Sequence, residues 1–179
     1  MDSLEVVRAL AGYNAWINAR LYDAAERLPE AERYAGRGAF FGSIAGTLNH
    51  LVVGDALWLR RFAAADEAGA LRAADSWLPR PATLDETLFT AWAPLRAMRE
   101  RIDGLILAWC DELRPARLDA VLEYCNMRGE PQRRPLGLLL AHFFNHGTHH
   151  RGQVSTLLMQ AGVDPGVTDL VAFLPQTPC

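Results

Sequence analysis

The chain has 179 residues, half of them hydrophobic and 22% charged, with a formal net charge of −3. That balance supports a folded core, and the length suits one domain spanning 1–179. Mixed charges without a basic face exclude a nucleic-acid footprint, and no apolar run approaches the roughly 18 residues of a membrane span.

The N-terminus, Met-Asp-Ser-Leu-Glu, lacks the basic start and apolar run of a signal peptide. Cys110, Cys125 and Cys179 are scattered, odd in number and without C-x-x-C spacing. Such usage fits a reducing compartment, and the expected localisation is cytoplasmic. Cys110 reads as core and Cys179 as a terminal thiol, and the spacing of Cys125 lends no support to a metal-ligand role.

Residues 3–28 carry Leu4, Val7, Leu10, Ala11, Ile17, Leu21 and Leu28 at helical spacing. Asp2 or Ser3 can cap this helix, and Pro29 follows its end. Tyr13 and Trp16 are expected to pack, and Asn14 and Asn18 to face solvent or a neighbouring loop. Residues 30–42 form a connector. Ser43 is the N-cap of a second helix running to about Ala65. Its apolar face is Ile44, Leu48, Leu51, Val52, Leu59 and Phe62. His50 lies in a different row, with Thr47, Gly54, Trp58 and Arg61, a surface suited to lining a pocket. Asp55 falls within the apolar face, which is costly for a carboxylate unless it is bonded. It either orients a ligand or an arginine inside the fold or forms an ion pair, with Arg151 as a candidate.

Residues 66–82 read as a long loop. A third helix is expected from Thr83, with Glu86 at capping-box spacing, to about Leu113. Pro94 should kink or divide it. Residues 117–135 form a short, irregular hairpin or extended excursion around Asn126-Met-Arg-Gly129. A fourth helix covers about 137–161 and is closed by Gly162, with Pro165 beyond. The tail, 166–179, is apolar enough to pack on the rest. The expected fold class is all-α: an up-down type four-helix bundle with the excursion before its last helix. There is no internal repeat, glycine-rich phosphate loop or G-x-S-x-G elbow.

The fourth helix holds four of the chain's five histidines within nine residues: His142, His146, His149 and His150. Residues four apart share a helix face. At about 100° per residue, His150 falls about 40° and His146 about 80° from the centre of the apolar face made by Phe143, Gly147, Val154, Leu157, Leu158 and Ala161. His142 and His149 lie farther round, near 120° and 140°. His146 and His150 are therefore the better placed ligands, since an H-x-x-x-H pair on a helix can hold one ion. His142 is a partner behind the ligands or a wet surface residue.

A bundle can place donors from facing helices around one ion. The histidine outside the cluster is His50. His50, His146 and His150 would make a three-nitrogen site with a fourth position open to water or substrate, as in catalytic zinc sites. Zinc, nickel, iron and cobalt all accept imidazole, and ligand type alone does not choose among them; the first expectation is zinc or nickel, with iron, cobalt or manganese also compatible. Tyr124, Asn126, Arg151 and Gln153 are placed around the ion by position alone. No side chain is assigned as catalytic.

Asn145-His146-Gly-Thr-His149-His150-Arg151-Gly152-Gln153, followed by Leu157, Leu158, Ala161-Gly162-Val163 and Pro165, resembles the signature of the DinB (damage-inducible) family. Asn49-His50-Leu-Val-Val-Gly54-Asp55-Ala-Leu-Trp58 resembles its second-helix motif. Tyr13-Asn14-Ala-Trp16 with Asn18, Arg20 and Leu21 fits the first helix. The resemblance implies a four-helix bundle with a divalent metal on three histidines, which fall here on His50, His146 and His150. It also implies a homodimer. Relatives in the wider superfamily include thiol-dependent transferases and a mycothiol-dependent maleylpyruvate isomerase, in which the metal is taken to activate a low-molecular-weight thiol.

The expected function is thus a divalent-metal-dependent enzyme acting on a small molecule, either a thiol-dependent transferase or a hydrolase. The alternatives are a non-catalytic metal-binding stress-response bundle, whose ion serves stability or sensing, and a dimeric interaction module without an ion.

Overall fold

Four long helices dominate the computed structural model, which describes residues 3–64 and 69–176. In chain order the elements are α1 (Ser3–Glu26), α2 (Glu30–Tyr34), α3 (Ile44–Ala64), α4 (Ala70–Ala73), α5 (Trp92–Glu112), α6 (Pro115–Leu118), β1 (Val121–Cys125), β2 (Pro131–Pro135), α7 (Leu136–Gln160) and α8 (Leu170–Phe173). The described residues are mostly helical, with one small antiparallel sheet. Asp2, Ala65 and Cys179, to which the sequence assigns a cap, a helix end and a terminal thiol, lie outside the described residues.

The long helices bury one stripe each. α1 packs on α5 and α7, and α3 packs on the same two. Ile17, Leu21, Leu51, Leu59, Ile102 and Leu158 are among the core residues between them. Ser43 starts α3 as expected: its Oγ accepts the Gly46 N–H at 3.0 Å. α7 ends in a Schellman arrangement. Gly162 takes a left-handed φ of +80°. The Val163 N–H reaches the Leu158 carbonyl at 2.9 Å, and the Gly162 N–H reaches that of Met159 at 3.0 Å. Downstream, the Tyr13 hydroxyl donates to the Thr168 carbonyl. Phe173 lies 5.9 Å from the Trp16 ring, which sets the tail against α1.

The third long helix departs from expectation. It begins at Trp92, not near Thr83, and residues 83–91 are not helical. Pro94 therefore sits in the first turn, where a missing N–H breaks no bond, and it neither kinks nor divides the helix. The reason for the late start is on α3. The Asn49 amide pairs with the Phe89 backbone in both directions, donating to its carbonyl at 2.8 Å and accepting its N–H at 3.0 Å. That pairing removes both backbone groups from helical use. Glu86 caps a turn, not a helix, by accepting the Ala82 N–H at 2.6 Å. The connector after α1 also contains a short helix, α2, and the loop after α3 contains α4.

The excursion before α7 is a regular hairpin. Val121 pairs with Pro135 and Cys125 with Pro131. Asn126 closes it, its Oδ1 accepting the Arg128 and Glu130 N–H groups at 2.9 and 3.0 Å. Gly129 supplies the left-handed φ of +76° that the turn requires.

Candidate metal centre

Three imidazoles converge between α3 and α7. The His50 Nε2 lies 3.1 Å from the His150 Nε2 and 3.3 Å from the His146 Nε2. Among the described residues, these three are the group of potential ligands close enough to share an ion. The burial order along α7 follows the angles read from the sequence. His150 is buried, His146 half-buried, and His142 and His149 are exposed.

The outer nitrogens decide what the inner ones offer. The His50 Nδ1 lies 2.8 Å from the Leu84 carbonyl, which can only accept, so Nδ1 carries the proton. The His150 Nδ1 lies 2.8 Å from Gln153 Oε1, which imposes the same tautomer. Gln153 Nε2 faces His149 Nε2 at 3.3 Å, consistent with that amide orientation. In the neutral rings both inner Nε2 atoms are therefore bare lone pairs, 3.1 Å apart. Two lone pairs aimed at each other repel unless a cation lies between them. Nitrogens about 2.0–2.1 Å from a tetrahedral ion stand about 3.3 Å from one another. The observed spacing fits that donor set.

Protons are poor candidates for the cation. Burial lowers the His146 pKa to about 3, helped by its His150 and His50 neighbours. Burial likewise lowers those of His50 and His150, against the hydrogen bonds to Leu84 and Gln153 that raise them. All three rings are neutral donors at neutral pH.

Packing holds the rings in place. Phe41 stacks on His50 at 3.8 Å and meets His150 edge-on at 5.5 Å. Gly54 leaves room for His146: a Cβ there would lie 2.8 Å from the His146 Cε1. Gly54→Ala should therefore push that ring off its position. The expected result is a weaker site, by roughly 10-fold in zinc affinity, at the low end of what disturbed supporting residues cost. The melting temperature should hold or rise, because Ala is the better helix former. Unchanged affinity on calorimetric titration would show that the ring has slack.

The remaining polar residues singled out in the sequence divide. Gln153 supports His150, and Asn126 lines a cleft beside His146 and His142. Tyr124 packs against Trp58 at 5.4 Å. Arg151 is not at the site: its Nη1 donates to Asn14 Oδ1 inside the core. Nor is it the partner of Asp55. That role falls to Arg99 of α5, whose Nη1 donates to Asp55 Oδ2 at 2.6 Å and whose Nη2 lies 2.9 Å from Asp103 Oδ1. Asn14 and Asn18, expected to face solvent or a loop, are buried and both donate to Asp103 Oδ1 at 2.9 Å. Cys110 is buried as expected, and Cys125 is exposed and outside the imidazole cluster.

Two supports escaped sequence reasoning. The Leu84 carbonyl is free for His50 because residues 83–91 are not helical. Phe41 carried a faint signal, as one of two aromatics placed just before a helix cap in a glycine-rich connector.

The DinB family model matches residues 2–178. The chain belongs to the DinB family. A curated relative, Protein DinB of Bacillus subtilis (strain 168), is 24% identical over 165 residues, covering 92% of this chain and 91% of that protein. No solved structure matches. Family membership and the three-histidine cluster are together compatible with metal binding.

Proposed function

We propose that His50, His146 and His150 hold a divalent metal ion through their Nε2 atoms, and that this protein is a metal-dependent enzyme acting on a small molecule. The observation that carries the reading is the pair of bare nitrogens on His50 and His150, 3.1 Å apart, each with its outer nitrogen already committed. Three ligands leave a position for water or substrate, and a cleft reaches His146 from outside. A bound ion would supply Lewis acidity, lowering the pKa of a water or thiol or polarising a carbonyl. Either a thiol-dependent transferase or a hydrolase fits that chemistry. Zinc and nickel are the first candidates, with iron, cobalt or manganese next. On this reading the four long helices form an up-down bundle in a single domain, working as a cytoplasmic homodimer.

Small thiols test the open position. Cobalt-loaded protein should develop a thiolate-to-cobalt charge-transfer band on addition of 2-mercaptoethanol. An unchanged spectrum would leave a closed, non-catalytic ion.

The lowered imidazole pKa values also set a pH dependence. A depressed pKa means no proton must leave before the ion binds. Three ordinary imidazoles, near 6.5, would lose roughly 50-fold in zinc affinity between about pH 7.5 and 6. This site should lose less than about 10-fold over that interval. Stability of the metal-free protein follows the same sign. The contribution of these rings is present above about pH 6.5 and is lost as pH falls toward the His146 value of about 3. Calorimetric zinc titration across that range reads the first effect. A 50-fold fall would mean the rings titrate as if exposed.

A further inference from the structure

Beside the three imidazoles runs a cleft of about 350 Å³. His146 stands on one part of its wall, and Trp58, Leu84 and Met127 give it apolar sides. Arg61 and Arg128 also line it, and among the described residues no carboxylate does. Along α3 the lining runs Gly54, Trp58, Arg61. Arg61 therefore lies two turns, about 10 Å, from the glycine against which His146 packs.

Arg61 is half-buried in the wall of this cleft. Arg60, Arg96 and Arg99 all end on carboxylates. Among the described residues Arg61 makes no ion pair. Its guanidinium is held over the Trp58 ring at 4.7 Å and over Tyr124 at 5.1 Å. Stacking fixes the plane of the guanidinium but leaves its N–H fork available. A half-buried cation whose fork has no ion-pair partner among the described residues is a site for an oxyanion.

We propose that this cleft binds a small organic acid, with its carboxylate on Arg61 and its hydrocarbon stretch against Trp58, Leu84 and Met127. Its opposite end lies toward His146, whose ring shares the cleft wall. One half-buried cation matches a singly charged planar carboxylate better than a phosphate dianion. Arg128, exposed on the hairpin turn, adds attraction without fixed geometry. The far end of the ligand rests on the metal reading above; the carboxylate end does not.

Two probes of equal length separate the parts: octanohydroxamic acid and the monohydroxamic acid of suberic acid, which differ in a terminal carboxylate. Calorimetry on zinc-loaded protein should show the carboxylate probe binding roughly 10-fold tighter or more. Arg61→Gln should erase that preference, and Arg128→Gln should leave most of it. A wild-type ratio near one, or a preference that survives Arg61→Gln, overturns the proposal while leaving the metal site standing. Should the Gln variant fail to fold, Arg61→Lys replaces it: a reduced preference supports the proposal and an unchanged one overturns it. If zinc itself does not bind, the metal reading fails, and suberate is titrated into metal-free protein. Binding that Arg61→Gln weakens then supports the carboxylate site, and no binding overturns it.

Discussion

His146→Ala should reduce bound zinc from one equivalent to well below it, with affinity falling by on the order of 100-fold or more. Altering a residue that only supports a ligand costs 10–100-fold, and removing the ligand costs more. His50→Ala and His150→Ala should behave alike, because the three rings offer ligand atoms close enough to share one ion. His142→Ala is the control. His142 is exposed, and its ring lies 5.1 Å from Trp58 and 6.1 Å from His146, so its loss should change zinc affinity only severalfold. Calorimetry on the four variants decides the point. Equal losses in all four would mean that the histidine-rich helix attracts metal diffusely, without a defined three-nitrogen site.

Arg99→Met should cost about 3–5 kcal/mol of unfolding free energy in denaturant titration, the range for breaking a buried pair from one side. The arginine is 2% exposed and stands between Asp55 and Asp103. Burial works to lower its pKa, but the two carboxylates outweigh it and hold it high. Burial raises the Asp103 pKa to about 6, against the pull of Arg99. A raised carboxyl favours folding below about pH 4 and loses that contribution as pH rises through 6. Without Arg99 the loss deepens, so the penalty of the variant should grow from pH 4 to 7. Arg96→Met provides the contrast. Arg96 contacts Asp23, Glu26 and Glu100, but all three carboxylates are well exposed, and the expected cost is at most about 1 kcal/mol. Similar costs for the two variants would mean that the buried network contributes little.

How much of this was legible beforehand depended on the range of the interaction. The order of burial on α7 follows from helix geometry and the apolar face around Phe143 and Val154, and the structure reproduces it down to the exposure of His142 and His149. Gly54 one turn after His50 was readable as space for a neighbour, and the neighbour is His146. The caps at Ser43 and Gly162 are short-range signals of the same kind. What the sequence concealed are pairings across the fold. Periodicity places Asp55 on an apolar face but cannot rank Arg99 against Arg151, since both lie on facing helices. Nor does it show that Asn14 and Asn18 point into a core, because an asparagine on a helix is ordinarily wet. The late start of α5 was hidden for the same reason. Its cause is Asn49, 40 residues upstream, clasping the Phe89 backbone. That error touched the site itself, because the non-helical segment is what turns the Leu84 carbonyl to His50.

The central claim is most directly tested by X-ray absorption at the metal edge of protein carrying one equivalent of zinc. Three imidazole nitrogens at about 2.0–2.1 Å with one further light-atom ligand are expected, and the imidazole signal should weaken by a third in His50→Ala. A shell of oxygens without imidazole scattering, or a spectrum identical in wild type and His50→Ala, would contradict the account.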